Sequence, residues 1–255
     1  MTLMNGDCLE LMKDIPDKSI DLILCDLPYG TTQNKWDSVI PFDKLWAQYN
    51  RIIKDNGAIL LFSQMPFGAN LIMSNPKMFR YEWIWEKEQG TGWLNAKKMP
   101  LKKHENILVF YKHLPTYNPQ GLIGLDKPLI IDAKQHEYGG YNDNSQATWE
   151  RKNTNYPTDM LKYGRDKIKG SLHPTQKPVA LLEYLVKTYT NEGDTVLDNC
   201  MGSGSTGVAC KNTNREFIGM ELDEKYYKVA CERLGRNYDW ANRAEMTHIR
   251  SKETL

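Results

Sequence analysis

The chain carries almost no surplus charge: 33 lysines and arginines stand against 32 aspartates and glutamates, a formal net charge of +1. That excludes a strongly basic protein that holds nucleic acid by bulk charge, so any such contact must come from local clusters. Long apolar runs are also missing. The longest, near Ile20 to Cys25 and Ala58 to Phe62, fall far short of a membrane span. The first residues lack the charged and apolar regions of a signal peptide, and a cytoplasmic location is expected. The five cysteines, Cys8, Cys25, Cys200, Cys210 and Cys231, include no C-x-x-C pair, and the five histidines form no ligand cluster. Neither a zinc site nor a disulfide framework is indicated. There is no internal repeat. What remains is 255 residues, enough for one α/β domain with a sizeable core and an insertion.

Within that frame the most informative element is Asp26-Leu27-Pro28-Tyr29, directly after the run Ile20 to Cys25. The run is short, aliphatic and bounded by Pro28 and Gly30, which predicts a buried strand ending in a turn. Strand ends of this kind line the ligand crevice of open α/β sheets. Pro28 disfavours helical torsions at Leu27 and holds its carbonyl in an extended segment beside the Asp26 carboxylate. Two adjacent acceptors and the Tyr29 ring suit a planar heterocycle bearing an exocyclic NH2. The same four residues also describe an ordinary capped turn, so a second motif has to decide.

That motif is Thr195-Val196-Leu197-Asp198 followed by Asn199-Cys200-Met201-Gly202-Ser203-Gly204-Ser205-Thr206-Gly207 and a helical segment from Val208 to Asn212. It reads as strand, glycine-rich turn and helix, in which Gly202 and Gly204 allow close approach to the main chain. The next strand, Glu216 to Met220, ends at Glu221, about twenty residues on, where a carboxylate can take both hydroxyls of a ribose. Nicotinamide dinucleotides and S-adenosylmethionine both use this geometry. Chain position separates them, because after Glu221 only a helix from Asp223 to Leu234 and a polar tail remain, too little for the further strands of a dinucleotide domain. The missing strands are expected at Ser19 to Cys25, Ala58 to Phe62, Tyr81 to Trp85 and Glu105 to Tyr111, with a helix from Phe42 to Lys54. Trp83 and Trp85 share one face of their strand and are expected to pack in the core.

The order D-L-P-Y-G, then H-P-T-Q-K-P at His173 to Pro178, then V-L-D-x-x-x-G-S-G-S-T-G resembles the β-group DNA amino-methyltransferases. The resemblance spans residues from about 5 to 235. It implies an α/β class I S-adenosylmethionine-dependent methyltransferase fold, a mostly parallel twisted sheet flanked by helices, with circularly permuted motif order. It implies transfer of a methyl group to an exocyclic amine of adenine or cytosine in double-stranded DNA. Asp26 and the Leu27 carbonyl would accept from the target amine, Pro28 would shape the turn and Tyr29 would stack on the extruded base. The family commonly has Pro where this chain has Leu27, a position acting through its main chain. Adenine enzymes of the group usually begin the motif with Asp and cytosine enzymes with Ser, so Asp26 favours adenine.

For the cofactor, the resemblance implies that Asp198, Met201, Gly202, Ser203, Gly204, Ser205 and Thr206 lie beside the methionine moiety. Glu221 would take the ribose and Leu222 would border the adenine. Asp7 would accept from the cofactor's amino group, or else cap a short helix from Cys8 to Met12. Lys177 or Thr175, at the mouth of a helix opened by Pro178, would take its carboxylate.

An amine paired inside a duplex has to be turned out of the stack to be methylated. A basic stretch, Lys97, Lys98, Lys102 and Lys103, is the expected phosphate contact surface, next to a loop at Gly90-Thr91-Gly92 that would cover the base. From about residue 113 to 171 the chain turns rich in Asn, Gly, Pro and Tyr. A segment of about fifty such residues is too long for a passive connection and is expected to be a functional loop. The family places target recognition there, with Arg151, Lys152 and Arg165 among the candidate DNA contacts. The expected division is therefore 1–112 as the catalytic half, 113–171 as an inserted target-recognition region, 172–236 as the cofactor half and 237–255 as a polar tail. A homodimer and a cognate restriction endonuclease are partners this reading leaves open.

Overall fold

The structure is a computed structural model that describes residues 1–30, 38–132, 148–164, 166 and 176–236. The chain divides into two units, the larger comprising Met1–Asn118 and Asp159 onward, the smaller Pro119–Thr158.

The larger unit is built on an eight-stranded sheet. In chain order its elements are β1 (Thr2–Asn5), α1 (Cys8–Leu11), β2 (Ile20–Cys25), α2 (Phe42–Ile52), β3 (Ile53–Ser63), α3 (Phe67–Ser74), β4 (Phe79–Thr91) and β5 (Lys102–Phe110). After the smaller unit, whose strands are β6 (Ile123–Asp132) and β7 (Thr148–Thr154), come β8 (Met160–Lys162), α4 (Val179–Tyr189), β9 (Thr195–Asp198), α5 (Ser205–Asn212), β10 (Glu216–Glu221) and α6 (Glu224–Leu234). The strand order is β1-β10-β9-β2-β3-β5-β4-β8. β1, β10, β9, β2 and β3 run parallel, β5 is antiparallel to both β3 and β4, and β8 is parallel to β4.

β2 lies at the centre, and its residues alternate between two cores. Ile23 and Cys25 face Leu45, Trp46, Tyr49, Ile52, Phe67 and Leu71 of α2 and α3. Leu22 and Leu24 face Leu181, Leu185, Ala209, Ala230 and Leu234 of α4, α5 and α6. A strand covered on both faces reads as a continuous apolar run rather than an alternating one, which is why Ile20 to Cys25 has that look in the sequence. α2 places Leu45, Trp46, Tyr49 and Ile52 on one stripe, the spacing of an amphipathic helix. Asp223 caps α6, its carboxylate accepting from the Lys225 and Tyr226 amides, and Gly235 closes the helix at φ 71°.

From the β9/β2 boundary the chain winds outward both ways: β2 leads through α2 to β3 on one side, and β9 leads through α5 to β10 on the other. This reversal puts the carboxyl ends of β2 and β9 side by side, the position at which open α/β sheets bind their ligands. Leu22 and Ile23 pair with Val196 and Leu197, so Asp26 and Asp198 emerge from neighbouring strands at one edge of the sheet.

Three expectations need correction. The helix expected from Phe42 to Lys54 ends at Ile52, because Ile53 already pairs with Ile20 and starts β3. Gly90 and Thr91 belong to β4, with Thr91 opposite Lys102, so only Gly92, at φ 94°, begins the turn expected over Gly90-Thr91-Gly92. The segment expected to be a loop contains regular structure: β6 and β7 form an antiparallel pair with a register shift between Gly124 and Leu129, and β8 joins the main sheet. That irregular register hid the period of two on which a strand is recognised. The smaller unit, Pro119–Thr158, is also narrower than 113–171. Thr175, Arg165, His173 and the tail 237–255 lie outside the described residues. Among the described residues, no helix is long and apolar enough to cross a membrane.

Candidate active site

At the end of β2, Asp26 uses one oxygen for each of two partners. Tyr29 donates its hydroxyl to Oδ1 at 2.7 Å, and the Lys177 ammonium donates to Oδ2 at 2.6 Å. Leu27 is buried in the α2/α3 core, which anchors the main chain between the two polar residues. The Tyr29 ring sits 4.9 Å from that of Phe67, tilted by 34°. Burial, then the nearby Asp26 carboxylate, pushes the Tyr29 phenol well above its ordinary pKa, so it stays a donor.

Behind Lys177 stands a line of charge that the motifs do not announce. Its Nζ is also 3.1 Å from Glu105 Oε2, an ion pair without hydrogen-bond alignment, and Glu105 Oε1 meets both Lys87 Nζ and Gln64 Nε2. Lys87, Glu105 and Lys177 are 5%, 6% and 9% exposed, so three buried charges of alternating sign lead to the half-buried Asp26. Lys177 lies 5.0 Å from the Phe62 ring centre and Lys87 5.3 Å from that of Trp85. Burial alone would raise the Glu105 pKa, but the two ammonium groups outweigh it and hold the carboxyl below its usual range. Burial would lower Lys177, and Asp26 and Glu105 reverse that, so its pKa is raised and it stays charged.

Lys177 or Thr175 was expected at the cofactor's carboxylate; Thr175 lies outside the described residues, and the Lys177 ammonium is directed to Asp26. The reason is tertiary: α4 packs against the face of the sheet that carries Phe62, Trp85 and Glu105. Pro178 still caps that helix, whose first amide, Val179 N, is taken by the Asp166 carboxylate at 3.2 Å. A signal for Lys87 was present. Trp83, Trp85 and Lys87 alternate with period two and are all buried, so a lysine follows two core tryptophans on one strand face. Glu105 likewise continues the buried series Ile107 and Val109.

On the neighbouring strand, the loop after β9 is tightly built. The Asp198 carboxyl accepts from Thr206 Oγ1 at 2.6 Å and from the Cys200 amide at 3.1 Å. Its pKa rises to about 7, chiefly through burial. Gly202 and Gly204 take φ of 53° and 78°. A Cβ on Gly204 would come within 3.2 Å of both Ala230 and Leu234, a tight contact added to a left-handed backbone that favours glycine. The Gly202 amide donates to Glu221 Oε2 at 2.9 Å, and Asp223 N to Glu221 Oε1 at 2.8 Å. Arg233, absent from the sequence expectations, donates to the Ser203 carbonyl and to Ser205 Oγ, closing the loop from the α6 side. Met201, Ser203, Ser205 and Thr206 are buried, whereas Leu222, beside Glu221, is 61% exposed.

Asp7 caps α1, accepting from the Leu9 amide at 2.8 Å, and follows Asn5, which pairs with Glu221. It therefore stands at the same carboxyl edge of the sheet while filling the capping role. Of the basic candidates, Lys97 and Lys98 are exposed on the turn between β4 and β5, Lys103 pairs with Glu86 at 2.7 Å and Lys102 Nζ lies 3.5 Å from Gln64 Oε1. In the smaller unit, Arg151 donates to the Asn153 carbonyl and Thr154 Oγ1, and Lys152 is 3.2 Å from Glu150.

A glycine turn pressed against a helix, buried acids at the ends of β9 and β10 and an acidic tetrapeptide one strand away define a class I S-adenosylmethionine-dependent methyltransferase. The chain belongs to the DNA methylase family, whose profile matches residues 20–232. Type II methyltransferase M.HpaI of Haemophilus parainfluenzae is 30% identical over 254 residues, covering 93% of this chain and 75% of that protein. DNA adenine methyltransferase YhdJ of Escherichia coli (strain K12) is 29% identical, covering 91% and 82%. Among solved structures, the M1.HpyAVI–SAM complex superposes with a TM-score of 0.61 at 26% identity, covering 91% of this chain and 99% of that one. The cytosine-N4-specific PvuII DNA methyltransferase reaches a TM-score of 0.65 at 17% identity, over 97% and 90%, a likeness of fold. The enzyme is thus an S-adenosylmethionine-dependent DNA methyltransferase.

Proposed function

We propose that the enzyme methylates the N6 amine of adenine in duplex DNA, after the base is turned out of the helix into the crevice between the β2 and β9 loops. The observation that carries this is the adjacency of Asp26 and Asp198 on paired parallel strands, which supports a role for the first in holding the amine and for the second in holding the cofactor. Asp26 as the first residue of the tetrapeptide favours adenine, as does similarity to a relative named for adenine.

An aromatic exocyclic amine is a poor nucleophile because its lone pair is delocalised into the ring. Asp26 and the Leu27 carbonyl accept its two N–H groups, draw the nitrogen toward tetrahedral geometry and localise that pair. S-adenosylmethionine, when bound, would supply an electrophilic methyl group on a sulfonium. This is catalysis by position and electrostatics, with no covalent enzyme intermediate. Lys177 holds the Asp26 carboxylate in place, and each carboxylate oxygen keeps a second lone pair for the amine. As the C–N bond forms the S–C bond would break, leaving the neutral thioether of the demethylated cofactor, and the surplus amine proton would pass to Asp26. Tyr29, its ring supported by Phe67, provides the stacking face. Glu221 and Leu222 hold the adenosine end of the cofactor, Asp7 its amino group, and Asp198 with the Gly202 to Thr206 turn its methionine end. The β6/β7 unit, with Arg151 and Lys152, reads the target.

Nucleoside mass spectrometry of plasmid DNA treated with purified enzyme tests the choice of base. N6-methyladenine is expected, and N4-methylcytosine in its place would overturn the assignment while leaving the chemistry intact.

A further inference from the structure

The hairpin joining β4 and β5 carries side chains that the clamp and the cofactor loop leave unused. β5 is antiparallel to β3, with Asn106 opposite Ser63, so it begins at the sheet edge where β2 and β3 end. Beyond the Trp85–Glu105 pair, the hairpin continues past that edge to Thr91 and Lys102. At roughly 3.3 Å per strand residue its tip extends on the order of 10–15 Å beyond Glu105, on the side of the sheet where Asp26 sits.

The tip is apolar and exposed: Trp93 is 71%, Leu94 101% and Met99 54% accessible. It is also ordered. Gly92 starts a 3-10 turn over Trp93–Asn95, Asn95 N donates to the Gly92 carbonyl, Ala96 N to Trp93, and Lys98 N and Met99 N to Asn95. Large apolar side chains held out in water by a built turn mark a contact surface. Its charge indicates the partner, since residues 89–104 contain four lysines and no carboxylate. Lys102 and Lys103 stand at the base with protein partners, and Lys97 and Lys98 are exposed beside the apolar pair.

We propose that Trp93 and Leu94 are a wedge that enters the base stack of duplex DNA, with Lys97 and Lys98 resting on the flanking phosphates. This rests on the base-extrusion reading above and deepens it. An apolar wedge unstacks a base step, and the lysines hold the duplex against the hairpin while it does so.

The test compares the wild-type enzyme with Trp93→Ala/Leu94→Ala, Trp93→Phe and Lys97→Ala/Lys98→Ala, in methyl transfer from labelled S-adenosylmethionine to unmethylated duplex genomic DNA and in duplex binding over a salt series. The double alanine variant at the tip is expected to keep its melting temperature and its S-adenosylmethionine-induced shift. Its transfer to duplex DNA should fall about tenfold or more, the size of a lost base–aromatic stack. Its binding should keep the wild-type slope against log salt, and Trp93→Phe should recover most of the transfer. The double lysine variant should instead weaken duplex binding and flatten that slope by about 2. Wild-type transfer by the tip variant overturns the wedge, as does a lost salt slope in that variant. A wild-type dimer that the tip variant abolishes in sedimentation would make this surface an interface between copies, and would also overturn it. Should the wild-type enzyme itself transfer no methyl group to DNA, the functional reading fails first and the wedge with it.

Discussion

Asp26 divides its two oxygens between a phenol and an ammonium, and that division makes it an aimed acceptor rather than a surface carboxylate. Asp26→Ala is expected to cut methyl transfer by about 10² or more, the scale seen when one preorganised transition-state contact is removed. Cofactor binding, read as a melting shift, should persist, and its equal loss would mean the two pockets have been confused. Glu105→Gln removes a carboxylate shared by two buried ammonium groups. Breaking a buried charge arrangement by deleting one member costs about 3–5 kcal/mol, and chemical denaturation should show that loss. Asp198 makes a pH prediction. Its folded pKa of about 7 stands above an ordinary 3.8, so folding binds a proton that the unfolded chain releases. The stability this contributes is complete below the unfolded value and disappears as pH rises through about 7. Asp198→Asn should flatten the decline in melting temperature between those limits for the cofactor-free protein, and an unchanged profile would assign the decline elsewhere. Residue identities marked Asp26 and Asp198 in the sequence. Lys87 and Glu105 were not marked, because a lysine and a glutamate in strand patterns read as solvent-facing until a partner buried beside them is known.

At the scale of elements, the glycine turn depends on α6 as much as on its own residues. Gly204 holds φ 78° while Ala230 and Leu234 close on the space where a Cβ would be. Gly204→Val meets both obstacles, a left-handed backbone costing about 1–2 kcal/mol and a collision with α6. It should abolish the S-adenosylmethionine-induced melting shift while the Asp26 side of the crevice persists. A normal shift in a folded Gly204→Val protein would remove this loop from the cofactor site. The strand–turn–helix pattern of the β9 loop was legible because glycines punctuate it. The β6/β7 pair was not, because its register slips between Gly124 and Leu129 and the alternation of side chains is interrupted. Nor was the reach of the β4–β5 hairpin, since Gly90 looked like a breaker and lies inside a strand, its Cβ position 2.8 Å from Leu101.

For the whole molecule, the motif order in the chain is the reverse of what a cofactor-first enzyme would show, yet the sheet restores the usual neighbourhood. β9 and β10 return from the far end of the sequence to lie between β1 and β2. A ligand that binds only the folded state stabilises it, by about 2.7 kcal/mol at a hundredfold excess over its dissociation constant. S-adenosylmethionine is therefore expected to raise the melting temperature, and NAD is not; the reverse result would overturn the assignment of the crevice. The sequence by itself determined which residues are the candidates for the chemistry, the Asp26 tetrapeptide and the Asp198 turn, because proline, glycine and a strand-ending carboxylate act through local backbone geometry that neighbours in the chain dictate. Only the tertiary structure decided that Lys177 serves Asp26, that Glu105 and Lys87 stand behind it, and that Trp93 and Leu94 are held out beyond the same edge. Those facts depend on which strand lies beside which and which face a helix covers, distances set by packing between segments as far apart as residues 26 and 177.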